Sequence, residues 1–286
     1  MSPRTDVAAR TDPGLVRERN EDRWLARTYA GVTLIAVADG VGGEAGGDVA
    51  STAAIDALAK AFDPPFGVSA RTALGEAVQH ANAAVLDSAK DERFSRAATT
   101  LVAAAIRGRE AAVANLGDSR AYLIRGGAIR QLTTDHSGDA PSSITRFLGD
   151  PRGVQPDIFV ETLEPLDRVV LCSDGLTRHV GDDEIASAMS RDPRAAADAL
   201  VALARARGGE DNITVIVCAA RPRPVSRAFA GTVILALLIL LALAGAMGAL
   251  LATPVTAPPA SASPSASPSE SPGPSSSSAP TPSATP

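Results

Sequence analysis

The sequence predicts an α+β protein: a β-sandwich of two antiparallel sheets flanked by helices, followed by one C-terminal transmembrane helix. Short apolar runs follow one another as a meander through the middle of the chain, and pairs of helical segments stand before and after this meander. This order lacks the regular strand–helix alternation of a parallel sheet. The transmembrane helix is predicted by an uncharged apolar run of 25 residues near the C-terminus.

The spacing of apolar residues sets the type of each segment. The run VTLIAVA at 32–38 predicts a buried strand that ends in the glycine-rich turn DGVGGEAGGD. Helices are expected at 45–62 and 70–89, and then strands at 98–106, 111–116, 121–124, 128–132, 158–162 and 168–172. Two further helices, at 182–189 and 193–206, precede a last strand at 213–218.

Four regions follow from the composition: a globular domain at 1–222, a basic juxtamembrane linker at 223–230, a transmembrane helix at 231–252 and a disordered tail at 253–286. The last 33 residues include 10 Pro and 11 Ser, too few apolar groups to offset the entropy of ordering. Arg221, Arg223 and Arg227 precede the apolar run and no Lys or Arg follows it. The positive-inside rule therefore predicts a single-pass protein of the cell membrane, with a cytoplasmic domain and an extracytoplasmic tail.

Charge and cysteine content exclude several classes of function. The net charge is −5 and the chain has no run of Lys or Arg, which argues against nucleic acid as a partner. The two cysteines, Cys172 and Cys218, lie in apolar runs and fit a reducing compartment. The chain also lacks the GxxxxGK[ST] loop of nucleotide-binding proteins and the GxSxG turn of serine hydrolases.

Aspartates recur where predicted strands end. Asp39 and Asp174 each follow a buried run, Asp118 lies in a turn between two strands, Asp211 precedes the last strand and Asp22 lies in the segment ERNEDRW. Converging strand ends would bring these carboxylates together, and such a cluster repels itself unless a cation neutralises it. Oxygen ligands favour Mg²⁺ or Mn²⁺ over zinc. Each aspartate taken alone is also an ordinary turn or cap residue.

In order, these segments resemble the metal-dependent serine/threonine protein phosphatase (PPM) family, and its bacterial branch in particular. The matching segments are GLVRERNED (14–22), VADGVGG (37–43), ATTLVAA (98–104), NLGDSRAYL (115–123), LTTDHS (132–137), LCSDGL (171–176) and GGEDNITVIV (208–217). The family fold is a β-sandwich flanked by helices. The resemblance therefore implies the same architecture as the apolar pattern.

The resemblance also implies roles for individual residues, with two Mn²⁺ or Mg²⁺ ions as cofactors. Asp39 would bridge the two ions, the Gly40 carbonyl would bind one, and Asp174 and Asp211 would bind the other. Asp118, with Asp174, would hold a third ion of the kind found in bacterial members. Glu21, Asp22 and Asn212 would lie next to the metal ligands without binding the ions directly.

The same resemblance implies that Arg17 binds the substrate phosphate. Arg17, Asp39 and Asp22 form the expected catalytic set. Arg19 is the rival to Arg17 but falls off the motif position. Two departures from the family stand out. Val41 occupies a position where eukaryotic members often have His, and only about 11 residues separate Ser137 from Leu148, which shortens the usual flap. The shortened flap puts the third ion in doubt.

The resulting hypothesis is a metal-dependent phosphatase that hydrolyses phosphoserine and phosphothreonine on proteins with a metal-activated water. Its partners would be phosphorylated proteins, including serine/threonine kinases and their substrates, and it would oppose those kinases at the membrane. The alternative is a catalytically weak pseudophosphatase that binds phosphoproteins.

Overall fold

A computed structural model describes residues 5–41, 46–64, 67–138, 143–220 and Ile239. All of these but Ile239 belong to one compact unit, Met1–Pro224. The predicted linker, transmembrane helix and tail, at 223–230, 231–252 and 253–286, lie outside the described residues apart from Ile239. Within the described part of the chain, no helix combines the length and the apolar character needed to cross a membrane.

Two five-stranded antiparallel sheets form the centre of the domain. One has the order β1-β12-β11-β8-β9 and the other the order β10-β7-β6-β3-β2. The strands are β1 Thr5–Asp12, β2 Arg23–Tyr29, β3 Val32–Ala38, β4 Gly40–Val41, β5 Ala98–Thr99, β6 Leu101–Arg107, β7 Glu110–Leu116, β8 Arg120–Arg125, β9 Ala128–Gln131, β10 Asp157–Thr162, β11 Arg168–Cys172 and β12 Ile213–Ala220. The short strands β4 and β5 pair with each other as a separate ribbon.

Each sheet is covered on its outer face by helices, which gives four layers. The helices are α1 Gly46–Ala61, α2 Ala70–Ser88, α3 Asp174–Thr177, α4 Asp182–Ser187 and α5 Pro193–Ala206. Helix α2 begins at the N-cap Ser69, whose hydroxyl accepts from the Thr72 amide at 3.0 Å. Asp192 caps α5 in the same way, with Pro193 in the first turn.

The alternating side chains of β3 show why its sequence is apolar at every position but Thr33. Leu34 and Ala36 pack in the cluster under α1 and α2. Ile35 and Val37 pack in the cluster between the two sheets. Both faces of the strand are therefore buried, and all seven residues of β3 are buried. Its one polar side chain, Thr33, has a partner: its hydroxyl lies 2.6 Å from the Thr5 hydroxyl.

The antiparallel register brings the predicted aspartates to one end of the sandwich. The last residue of β3 pairs with the first residue of β2, and Cys172 at the end of β11 pairs with both Arg120 and Val215. Leu101 at the start of β6 pairs with Leu116 at the end of β7. The loops that leave these strands carry Asp22, Asp39, Asp118, Asp174 and Asp211.

The predicted β-sandwich of two antiparallel sheets flanked by helices is confirmed, and within it the differences lie at edges and turns. Strand β3, strand β11 and helix α5 have the predicted bounds. The edge strands β1 and β2 were not predicted, because they are half exposed and lack a sustained apolar run. The strand predicted at 98–106 is interrupted at Thr100, and α3 begins at Asp174 directly after the Ser173 cap.

Candidate metal centre

Asp39 is held by the interruption between β5 and β6. Its amide donates to the Thr100 hydroxyl at 3.0 Å, and its carbonyl accepts from the Thr100 amide and the Thr99 hydroxyl, both at 2.9 Å. The Thr100 hydroxyl also bonds the Ser119 hydroxyl at 2.8 Å. The backbone of Asp39 is thus fixed on both sides, which limits where its carboxylate can lie.

Gly40 has no room for a side chain. A Cβ placed there would lie 2.3 Å from the Gly47 carbonyl oxygen, at the start of α1. A Cβ on Gly47 would in turn lie 2.9 Å from Glu21 Oε2. The Gly40 backbone therefore packs against the first turn of α1, beside the Glu21 carboxylate.

Asp22 is buried, with 2% of its surface exposed. Its Oδ2 accepts from the Ser173 hydroxyl at 2.7 Å, while its Oδ1 has no hydrogen-bond partner among the residues that the structure describes. Burial raises the pKa of Asp22 to about 6; bonds from Thr214 and Ser173 oppose the shift, and the charges of Asp174 and Asp211 add to it.

Asp39 and Asp118 lie in the same negative field. Burial, followed by the charges of the four other clustered aspartates, raises the pKa of Asp39 well above its ordinary value. Burial and the charge of Asp174 raise the pKa of Asp118 to about 6. These shifts mean that the five carboxylates interact electrostatically, although they come from five separate loops.

Asp174 and Asp211 are brought together by another close approach. A Cβ on Gly175 would lie 2.1 Å from the Asn212 carbonyl oxygen, so only glycine allows these two loops to touch. Asp174 Oδ1 is buried without a hydrogen-bond partner, as is Asp118 Oδ1.

The arrangement fits hard divalent cations. Three buried carboxylate oxygens, one each from Asp22, Asp118 and Asp174, lack partners, and an unpaired buried carboxylate oxygen is costly. Among the described residues, no three His, Cys, Asp or Glu side chains converge tightly enough to enclose one ion. Mg²⁺ usually keeps several waters and takes only one or two carboxylates, so an open oxygen-rich cluster suits it better than a closed cage.

The structure also assigns a position to Asn212, which joins the Arg17 loop to β12. Its Oδ1 accepts from the Glu21 amide at 2.8 Å, and its Nδ2 donates to the carbonyls of Pro13 at 3.0 Å and Arg19 at 2.9 Å. Asn212 is 5% exposed. One buried amide therefore fixes the loop that carries Arg17, Glu21 and Asp22.

Two arginines lie against the cluster. Arg17 Nη2 donates to Asp211 Oδ2 at 2.9 Å, and the Arg17 side chain is 52% exposed. Arg178 donates to Asp174 and lies 3.9 Å from Asp211 Oδ2. The sequence reasoning missed Arg178. Its position four residues after Asp174, the first residue of α3, is the signal that could have found it.

His136 supports the turn that carries Asp118. Its Nδ1 accepts from the Gly117 amide at 3.1 Å, and its own amide donates to the Gly117 carbonyl at 3.0 Å. Its Nε2 lies 3.0 Å from Asp157 Oδ2. Both ring nitrogens are thus engaged in the base of the flap, which is a structural role.

A cavity of about 350 Å³ opens beside the cluster. It is lined by Asp118, Arg120, Asp135, Ser137, Asp174, Thr177 and Arg178. A larger cavity of about 560 Å³, next to Arg146 and Asp157, contains none of the five clustered aspartates. Of these two cavities, only the smaller one is lined by clustered aspartates, Asp118 and Asp174.

Comparison with known proteins identifies the family of this chain. The family model for protein phosphatase 2C matches residues 16–211. Serine/threonine protein phosphatase PstP of Mycobacterium tuberculosis is 38% identical over 231 residues, covering 73% of this chain and 44% of that protein. Serine/threonine phosphatase stp of Listeria welshimeri is 34% identical over 234 residues, covering 73% of this chain and 93% of that protein. This chain thus spans less than half the length of its mycobacterial relative.

Solved structures of relatives share the fold. The crystal structure of M. tuberculosis PstP/Ppp superposes with a TM-score of 0.71 at 34% identity, covering 76% of this chain and 99% of that one. The PstP catalytic domain in complex with two manganese ions gives a TM-score of 0.70 at 34% identity, with the same coverage. The fold, the family model and these relatives together establish that the chain belongs to the bacterial protein phosphatase 2C (PPM) family of serine/threonine phosphatases.

Proposed function

We propose that this chain hydrolyses phosphoserine and phosphothreonine on proteins, using two divalent cations held by Asp39, the Gly40 carbonyl, Asp174 and Asp211. The observation that carries this proposal is the set of buried, unpartnered oxygens of Asp22, Asp118 and Asp174 at one end of the sandwich. Mn²⁺ in the PstP catalytic domain supports the choice of metal. Mg²⁺ is the other candidate, and Asp118 with Asp174 is the site proposed for a third ion.

Bound at this cluster, such ions would supply a Lewis acid for the phosphoryl oxygens and lower the pKa of a water held between them. The chain itself positions the groups. Thr99 and Thr100 fix Asp39, Gly175 lets Asp174 approach Asp211, and Ser173 orients Asp22 through Oδ2. These backbone and side-chain contacts therefore arrange the carboxylates before a substrate binds.

Arg17 is proposed to bind the substrate phosphate. Its guanidinium makes one hydrogen bond, to Asp211, and half of its side chain is exposed beside the cluster. A planar guanidinium can bind two phosphate oxygens at once, and Asn212 keeps the Arg17 loop in place. Glu21 and Asp22 would act on the ions through water molecules.

The activity test compares three forms of the chain on a phosphothreonine peptide: unmodified, Asp39→Asn, and Asp87→Asn as a matched control. Asp87 is an exposed carboxylate on α2 that pairs with Lys90, remote from the cluster. We expect Mn²⁺-dependent turnover, a loss of about 10³-fold or more in Asp39→Asn, and no change in the control. Turnover that needs no divalent ion, or survives in Asp39→Asn, would overturn the mechanism.

The same assay separates this proposal from a phosphoprotein-binding pseudophosphatase. Every position proposed to hold the metal pair retains its oxygen ligand in this sequence: Asp39, Gly40, Asp174 and Asp211. Calorimetry that detects phosphopeptide binding without any turnover in saturating Mn²⁺ would favour the pseudophosphatase.

We further propose that the chain is anchored in the cell membrane with its phosphatase domain in the cytoplasm, where it opposes serine/threonine kinases. The support is the uncharged run at 228–252 and the arginines that precede it. Tethering would raise the local concentration of the domain near membrane-bound substrates. The full chain should fractionate with membranes and residues 1–227 should not; equal distribution of the two forms would contradict the anchor.

A further inference from the structure

Arg178 occupies an unusual position beside the carboxylate cluster. It follows the four-residue helix α3 directly, and its Nε donates to Asp174 Oδ2 at 2.9 Å. Its Nη2 donates to the same oxygen, and its Nη1 lies 3.9 Å from Asp211 Oδ2. One guanidinium thus contacts two carboxylates from different loops.

These two carboxylates are the ones that the proposed function assigns to a divalent ion. A guanidinium and a divalent cation on one carboxylate repel each other, so the two cannot bind there with full strength together. The Arg178 side chain is 39% exposed and lines the cavity beside Asp118 and Thr177. It therefore has open space into which it can move when it leaves Asp174.

A simple helix-stabilising role does not account for this geometry. A pair spaced i,i+4 contributes little by itself, and α3 has only four residues. The approach to Asp211, 33 positions further along the chain, is not needed for such a pair. The charge of Asp118 also acts on the Arg178 guanidinium. Arg178 thus neutralises a cluster rather than one helical neighbour.

We propose that Arg178 is a built-in competitor for the divalent ions: it neutralises Asp174 and Asp211 in the metal-free chain and is displaced from Asp174 when an ion binds. This inference rests on the proposed function, because it takes Asp174 and Asp211 as metal ligands. It makes the metal requirement of the chain adjustable through one side chain that is not itself a ligand.

Removing Arg178 should lower the melting temperature of the chain in EDTA and raise its affinity for Mn²⁺. Without its positive charge the metal-free carboxylates repel one another, so the melting temperature in EDTA should fall. The same change should strengthen Mn²⁺ binding about three- to tenfold, because an ion no longer has to break a partly exposed ion pair. A residue that only stabilised the fold would lower stability without strengthening metal binding.

The experiment measures Mn²⁺ binding by calorimetry and melting in EDTA on the purified full chain in a mild detergent. The variants are Arg178→Ala and Arg178→Lys, with Arg207→Ala as the matched control. Arg207 has a similar exposure to Arg178, 40% against 39%, and pairs with Glu184, a carboxylate outside the cluster. We expect Arg178→Ala to bind Mn²⁺ more tightly and melt earlier, Arg178→Lys to bind with intermediate affinity, and Arg207→Ala to melt earlier with unchanged affinity.

The inference is overturned if Arg178→Ala binds Mn²⁺ no more tightly than the unmodified chain, or if Arg207→Ala shows the same gain. It is also overturned if Arg178→Lys binds as tightly as Arg178→Ala, since the retained charge should still compete. Asp174→Ala distinguishes a failure of the proposed metal site from a failure of the proposed role of Arg178. If it leaves Mn²⁺ binding unchanged, the proposed metal site itself is wrong and the inference falls with it.

Discussion

The substitution Asn212→Ala tests whether one buried amide holds the Arg17 loop against the metal centre. It removes three hydrogen bonds, to Glu21, Pro13 and Arg19, each between 2.8 and 3.0 Å. At about 1 kcal/mol for each bond, the loss is about 3 kcal/mol of unfolding free energy. For a domain of this size that corresponds to a melting temperature roughly 6–12 °C lower.

Metal binding should suffer as well, because the loop carries Glu21 and Asp22. We expect the Mn²⁺ concentration for half-maximal activity to rise several-fold in Asn212→Ala. The matched control is Asn82→Ala, a second asparagine with 5% exposure, which accepts one hydrogen bond from the Gly149 amide at 2.8 Å. It should lose about 1 kcal/mol and keep its Mn²⁺ dependence.

Denaturant unfolding and Mn²⁺ titration of both variants test whether the Asn212 amide holds the Arg17 loop. This role is excluded if Asn212→Ala loses no more stability than Asn82→Ala, or if both variants shift the Mn²⁺ requirement equally. Either result would mean that the loop is held by other contacts.

Three further predictions concern the same site. Burial raises the pKa of Asp22 from 3.8 to about 6, so folding takes up a proton between these values. This contribution to stability is present below pH 4 and lost as the pH rises through 6. In EDTA the unfolding free energy of the chain should therefore be higher at pH 5 than at pH 7, and Asp22→Asn should reduce this difference by about 1 kcal/mol, the rest coming from Asp39 and Asp118. Gly175→Ala should abolish Mn²⁺ binding by calorimetry, because its Cβ would lie 2.1 Å from the Asn212 carbonyl oxygen. Thr100→Val, which leaves the Asp39 amide without its acceptor, should lower kcat/KM and cost about 1–3 kcal/mol of stability, whereas Thr100→Ser should restore both.

Much of the fold could be predicted because the central elements have strong apolar patterns. Strand β3 is buried on both faces, and helix α5 has a Pro at its start and a clear apolar stripe. The edge strands could not be predicted in this way. In β2 only Leu25 is buried, so nothing in its sequence separates it from a polar loop.

The five aspartates were predictable from their positions at strand ends, because antiparallel pairing gathers such ends. The contacts that hold the loops were not. The Asn212 amide reaches a loop nearly two hundred residues earlier in the chain, and the Arg178 guanidinium reaches Asp211 as well as its helical neighbour. Such contacts depend on how loops from different strands meet, which apolar periodicity does not encode.

The aspartates at this end of the sandwich are proposed to hold a pair of divalent ions. Anomalous diffraction from crystals of the chain grown with Mn²⁺ tests it most directly. We expect two manganese peaks at the cluster, beside Asp39, Asp174 and Asp211, with Arg178 moved away from Asp174. Peaks found only elsewhere, for example in the cavity beside Asp157, or no manganese at Asp39 at a saturating concentration, would contradict it.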